Sequence, residues 1–182
     1  HDTIDGIEEA IHASRIYEIE VLPGIELNTQ IKGEEIHILG YFIRWDSSEL
    51  KRVLSDIRAV RRNRAEKMIK NLIDMYGFPI TFAETLKEAK NGSIGRTHIA
   101  RVLVRKKIVD NVTEAFDKYI GTNCPAYVGR YHLTPIDGIK LIKDAGGIPV
   151  LAHPGLITNP ALLDELLYLD IQGIEVHHSK HS

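Results

Sequence analysis

The sequence predicts an α/β fold interrupted by a helical insertion, on three observations. Helix-type and strand-type patterns alternate over residues 1–45 and again over 129–182, whereas residues 46–128 carry helical periodicity alone. The chain is also long and apolar enough, at 182 residues and 43% hydrophobic, to bury a core of its own.

Residues 4–18 read as an amphipathic helix, with Ile4, Ile7, Ile11 and Ile16 near helical spacing and Thr3 or Asp5 available as a cap. A hairpin follows. Ile25, Leu27, Thr29 and Ile31 alternate with Glu26, Asn28 and Gln30, and Lys32-Gly33 offers a tight turn into a second strand over residues 34–43. An Asp46/Glu49 capping box opens a long helix that runs to Tyr76 before Gly77. Thr81/Glu84 is a second capping box, and further helices are expected over 97–107 and 113–119. Thr134-Pro135 starts a helix that Gly146-Gly147 ends, and residues 148–152 form a short buried strand. A helix over 160–168 and a strand over 173–178 repeat that plan, the rhythm of βα units around a parallel sheet. Neither an internal repeat nor a low-complexity linker is visible.

The formal charge of -2 excludes a large basic nucleic-acid footprint. No apolar run approaches the length of a membrane span, and no signal peptide is visible. The single cysteine, Cys124, excludes an internal disulfide, so a cytoplasmic setting is expected. The chain opens on His1-Asp2-Thr3 and stops on Lys180-His181-Ser182, which leads to the expectation of truncation at both ends.

Ligand and catalytic groups in α/β folds gather beyond the carboxyl ends of strands. His1-Asp2 before the first helix, His153 after the strand 148–152, and His177 and His178 at the end of the last strand qualify. The hairpin adds a register argument. With a two-residue loop, Asn28 lies opposite His37, so Glu26 is diagonal to His37 on one face, roughly 7–8 Å away at the backbone and within reach of a shared cation. Imidazole and carboxylate ligands suit Zn, Mn or Fe, and paired ions of this kind activate water for phosphoryl displacement. Taken singly, each histidine also reads as a packing group and Glu26 as a salt-bridge partner. His12 and His132 read as surface residues. Arg58, Arg61, Arg62, Arg64 and Lys67 read first as a solvated helix face, with phosphate attraction as the alternative.

Five segments then carry a resemblance across nearly the whole chain: His1-Asp2-Thr3-Ile4-Asp5-Gly6, Pro23-Gly24-Ile25-Glu26, Glu35 to Tyr41, Gly95-Arg96-Thr97-His98-Ile99-Ala100-Arg101, and Gly146 to Pro154. In this order they resemble the PHP (polymerase and histidinol phosphatase) superfamily, in its metal-dependent phosphoesterase branch of the TrpH or YciV type. The resemblance implies a distorted (β/α)7 TIM-like PHP barrel, incomplete at both ends here, with barrel parts at 1–45 and 129–182 and an inserted helical domain at 46–128. It implies two to three divalent ions (Mn, Zn or Fe) held by His1, Glu26, His37 and His153. It also implies catalytic roles for His37 and Asp2, the latter acting from behind the ligands. The family's His-x-His segment, N-terminal aspartate and C-terminal Asp-x-His pair are not in this sequence, while Glu175 and His178 need not be ligands.

Arg96, His98 and Arg101, with Arg130 as a weaker candidate, are the phosphate-binding residues this reading selects; helix capping and a structural ion pair weigh equally for the first three. The implied substrates are nucleoside 3',5'-bisphosphates or short 5'-phosphorylated RNA, hydrolysed by metal-activated water, with no membrane and no obligate protein partner. Histidinol-phosphate phosphatase and a non-catalytic PHP module are the alternatives.

Overall fold

A computed structural model describes residues 1–90, 93–129, 133–179 and 181. The chain forms two compact units, His1–Leu54 with His132–Ser182, and Ser55–Tyr131. The division falls inside a long helix.

In the first unit the helix α1 (Ile7–Tyr17) precedes the strands β1 (Gly24–Ile31) and β2 (Glu34–Tyr41). Lys32 and Gly33 both take positive φ, 50° and 87°, as a two-residue hairpin turn of the primed type requires. That turn fixes an antiparallel register in which Asn28 faces His37 and Glu26 faces Leu39. The strand β3 (Ile148–Leu151) pairs antiparallel with β2, and the short β4 (Gly173–Ile174) pairs parallel with β3. The four strands therefore make a mixed sheet in the order β1-β2-β3-β4, not the wholly parallel one that the βα rhythm predicts.

The sheet's two faces differ as alternation demands. Ile25, Leu27, Thr29, Ile36 and Ile38 are buried on one face. The helix α6 (Pro135–Asp144) lies against them, and the approach is close because two glycines have no side chain. A Cβ at Gly40 would come within 2.9 Å of Ile142, and one at Gly138 within 2.9 Å of Thr29. Burying each of Leu27, Ile38, Ile142 and Leu151 contributes roughly 1.5–3 kcal/mol to holding α6 on the sheet. Thr134 caps α6 by accepting the Asp137 N–H, with Pro135 at the first helical position. The other face carries Glu26, Asn28 and His37. After β3 the chain makes a 3₁₀ turn (Pro154–Leu156), then the helix α7 (Pro160–Leu167) leads to β4.

Some predicted boundaries shift. The helix α1 begins only at Ile7, behind Gly6, and neither Thr3 nor Asp5 caps it; the Thr3 hydroxyl instead accepts the Asp5 N–H in the preceding loop. The long helix α2 (Ser48–Tyr76) is capped by Ser47, whose hydroxyl accepts the Leu50 N–H, in place of Asp46. The last strand stops at Ile174 rather than running to residue 178. The Glu175 N–H still donates to Leu151 O, after which Val176 is 72% exposed.

The second unit contains most of α2 and three shorter helices, α3 (Phe82–Glu88), α4 (Arg96–Arg105) and α5 (Val112–Ala115), the last continuing as a π-helical turn over Phe116–Ile120. The expected capping box is present: Thr81 accepts the Glu84 N–H and the Glu84 carboxylate accepts the Thr81 N–H. The wide π turn closes where the Gly121 N–H donates to Phe116 O; any Cβ at Gly121 would lie 2.3 Å from that oxygen. Met68, Leu72, Ile99, Leu103 and Ile120 form the core of this unit. Among the described residues, no helix is long and apolar enough to cross a membrane.

Candidate metal centre

The polar face of β1 and β2 and the two loops beside it bring four side chains together. Glu26 stands on β1 and His37 on β2, as the diagonal of the hairpin register places them. His1 is brought in by its neighbour: Asp2 is buried, with positive φ of 56°, and its N–H donates to Glu26 O. His153 follows β3, where the Ala152 N–H donates to His37 O. The His153 backbone is left-handed, with φ 31°, and its N–H donates to the Glu175 carboxylate at 2.7 Å. A non-glycine residue in that conformation persists only when its surroundings hold it. Here Glu175, directly after β4, supplies the holding group.

Glu26 is the hub. Its Oε2 lies 3.1 Å from His1 Nε2, and its Oε1 lies 2.8 Å from His37 Nδ1 and 3.6 Å from His153 Nε2. The facing nitrogens of His37 and His153 are 2.9 Å apart. Two imidazole lone pairs cannot face each other at that distance without a proton or a cation between them. Ligand atoms each about 2.1 Å from one tetrahedral ion are about 3.4 Å from each other, a spacing that the observed separations of 2.8–3.6 Å bracket. Among the described residues, His1, Glu26 and His37 satisfy the geometry of a three-ligand group.

The far sides of the rings fit the same chemistry, because a ligating imidazole generally gives its second nitrogen to an acceptor. His1 Nδ1 lies 3.1 Å from Asn28 Oδ1, and His37 Nε2 lies 3.4 Å from Glu35 Oε1. The sequence reading missed both partners. Glu35 was within its reach, since a residue two before His37 on a strand shares its face. Leu39, Leu156, Glu175 and His178 complete the lining of the cavity over the four ligand candidates. The His178 ring stacks at a tilt 5.3 Å from that of His153, while His177 is exposed.

No family model matches the chain. A 3',5'-nucleoside bisphosphate phosphatase of Chromobacterium violaceum is 34% identical over 188 aligned residues, covering all of this chain and 66% of that protein. A 5'-3' exoribonuclease of Haemophilus influenzae is 34% identical over 154 residues, 85% of this chain and 56% of that protein. The chain thus spans between half and two thirds of the length of these curated relatives. A crystal structure from Bifidobacterium adolescentis, described as a candidate metal-dependent phosphoesterase, superposes on the whole chain with a TM-score of 0.86 at 27% identity, over 66% of its own length. The chain belongs to the PHP-type metal-dependent phosphoesterase family.

In this PHP-type chain Arg96 and His98 have local structural partners. Arg96, at the start of α4, lays its guanidinium over the rings of Phe116 and Tyr127, at 5.1 and 5.5 Å from their centroids. His98 Nδ1 accepts the Gly95 N–H, closing a capping box through an imidazole. Burial, and then the nearby positive Arg101, hold the His98 pKa below its ordinary value, so the ring is neutral at pH 7 with its proton on Nε2. Arg101 is exposed on α4, and Arg130 lies outside the described residues, as does His132. His12 is exposed, as expected. The basic stretch of α2 is not a plain solvated face: Arg62 lies over Phe82, and Arg64 donates to Val128 O and lies over Tyr127.

Proposed function

We propose that the protein containing this chain hydrolyses phosphate esters of nucleotides, either nucleoside 3',5'-bisphosphates or short 5'-phosphorylated RNA. The observation that carries this reading is the convergence of His1 Nε2, Glu26, His37 Nδ1 and His153 Nε2 at ligand-to-ligand distances. The activities of the two curated relatives, a 5'-3' exoribonuclease and a 3',5'-nucleoside bisphosphate phosphatase, support the substrate class. In this reading the four-stranded sheet is part of a (β/α)7 barrel, and the setting is the cytoplasm.

His1, Glu26, His37 and His153 would hold two or three divalent ions (Mn, Zn or Fe). Such ions, when bound, supply Lewis acidity toward the phosphoryl group and make water a better nucleophile. The chain's own side chains do the rest. Glu26 presents its two oxygens to different imidazoles, so one carboxylate would serve as a ligand beside both His1 and His37. His37, between Glu26 and Glu35, is held with one nitrogen toward the ligand cluster and the other toward a carboxylate oxygen that can accept its N–H. Asp2 acts by positioning, since its carboxylate is buried on Asn28.

Phosphate recognition falls to Arg96, His98 and Arg101, with Arg130. Stacking occupies the flat face of the Arg96 guanidinium and fixes it, which leaves its in-plane N–H groups to meet an anion. His98 contributes a neutral Nε2–H donor. Phosphate release from adenosine 3',5'-bisphosphate, a short 5'-phosphorylated RNA and histidinol phosphate, with Mn²⁺ added, tests the reading. Turnover of either of the first two is expected. Turnover of histidinol phosphate alone moves the assignment to that phosphatase, and metal uptake with no turnover at all makes this a non-catalytic module.

A further inference from the structure

The His1 imidazole has one nitrogen toward Glu26 and the other toward Asn28, and which of the two carries the proton decides whether it can bind a cation. Imidazole coordinates through a lone pair, so binding through Nε2 requires the proton on Nδ1. The neighbouring groups decide it at Nδ1. Asp2 is 3% exposed. Its Oδ1 accepts the Asn28 backbone N–H at 2.8 Å, and its Oδ2 lies 3.1 Å from Asn28 Nδ2. With both Asp2 oxygens accepting from Asn28, the amide of Asn28 has its NH₂ corner toward Asp2. The oxygen corner then has to face His1, and Asn28 Oδ1 does so at 3.1 Å from Nδ1. An amide oxygen also only accepts. Nδ1 of His1 therefore carries a proton, while Nε2 faces a second acceptor, Glu26 Oε2 at 3.1 Å, where a bound cation takes the place of a proton.

We infer that Asn28 is a positioning residue of the metal centre, which transmits the acceptor character of buried Asp2 to His1 and sets the tautomer in which Nε2 is a ligand. The inference rests on the metal-centre reading above. The backbone serves it on both sides. Asn28 sits opposite His37 in the hairpin, so one register places both the tautomer-setting amide and a ligand, and the Asp2 N–H to Glu26 O bond ties the His1 loop to the same strand. Because the relay is a sequence of donor-acceptor choices, reversing one link reverses those after it. In an Asp2→Asn variant the new amide keeps its oxygen for the Asn28 backbone N–H and turns its NH₂ toward the Asn28 side chain. Asn28 then flips, presents NH₂ to His1, and drives the His1 proton to Nε2.

The test is nitrogen NMR of the ¹⁵N-histidine-labelled protein at about pH 8, above the ordinary imidazole range, with and without Zn²⁺, in the unsubstituted chain and in Asp2→Asn and Asn28→Leu. The unsubstituted protein is expected to show His1 protonated at Nδ1, and coordinated through Nε2 once Zn²⁺ is added. Asp2→Asn should move the proton to Nε2 in the metal-free protein. Asn28→Leu should give a mixture of tautomers. Both variants should bind Zn²⁺ about 10–100-fold more weakly, the range typical of lost groups behind a metal ligand. An unchanged tautomer in Asp2→Asn overturns the inference whatever the affinity does, since a merely structural loss would weaken binding without moving the proton. Absence of Zn²⁺ uptake by the unsubstituted protein counts against the metal centre alone, because the metal-free tautomers still decide the role of Asn28.

Discussion

The hairpin face of the first unit and the α4 region of the second are both rich in histidine and charge, but they use those groups in opposite ways. On the hairpin face, His1, His37 and His153 turn toward one carboxylate, with nitrogens 3.1, 2.8 and 3.6 Å from its oxygens. Around α4 the groups turn toward local partners. Arg96 and Arg64 lie over the Tyr127 ring, Arg62 over Phe82, and His98 over the open N–H of Gly95. The difference teaches that composition does not identify a site; donor atoms that converge call for a cation, while donors that diverge into rings and caps hold a fold together.

The contrast can be broken most directly at the hub. His37→Ala removes the ring that faces both Glu26 and His153 and should weaken metal binding by more than the roughly 10–100-fold cost of losing an outer group. Titration with Zn²⁺ checks it, and retention of full affinity would remove His37 from the donor set. Glu175→Ala should cost about 10–100-fold in the same titration, because the His153 backbone then loses the acceptor that holds it at positive φ. In the second unit Tyr127→Leu should leave metal binding unchanged. It should instead lower stability by about 1–2 kcal/mol, two cation–π contacts together, as read by chemical denaturation.

The smallest effect is one of pH. Because burial lowers the His98 pKa in the folded chain, the unfolded chain takes up that proton first as pH falls. Stability should be level above about pH 7 and decline as pH drops through the ordinary histidine range near 6.5 and below. A His98→Gln substitution should flatten that part of the denaturation-midpoint profile, and an unaltered slope would mean that other groups set it.

The hairpin and its polar face were legible in the sequence because two independent constraints agree there. Period-two alternation assigns Glu26, Asn28 and His37 to one face, and the Lys32-Gly33 turn fixes the loop at two residues and so the register. The position of His153 was legible for the same kind of reason, since a short apolar run must end where the chain leaves the sheet. Other features lacked a unique signal. Asp46 and Ser47 are adjacent residues that can both cap a helix, and only the loop geometry selects Ser47. Direction of pairing in the sheet is a long-range property, so the antiparallel join of β2 to β3 is invisible to local pattern. The aromatic partners of Arg64 and Arg96 come from separate segments of the second unit, and charge spacing along α2 carries no trace of them. The support of His153 by Glu175 depends on β4 lying beside β3, which again is topology rather than periodicity.

The central claim is that one carboxylate and three imidazoles form a metal-binding donor set. Elemental analysis of the purified protein, alongside a Glu26→Gln variant confirmed as folded by circular dichroism, tests it most directly. The account predicts bound transition metal in the unsubstituted protein and its loss in the variant, whose neutral amide replaces the charge at the hub. Equal metal content in the two proteins, or none in either after incubation with Mn²⁺ and Zn²⁺, would contradict it.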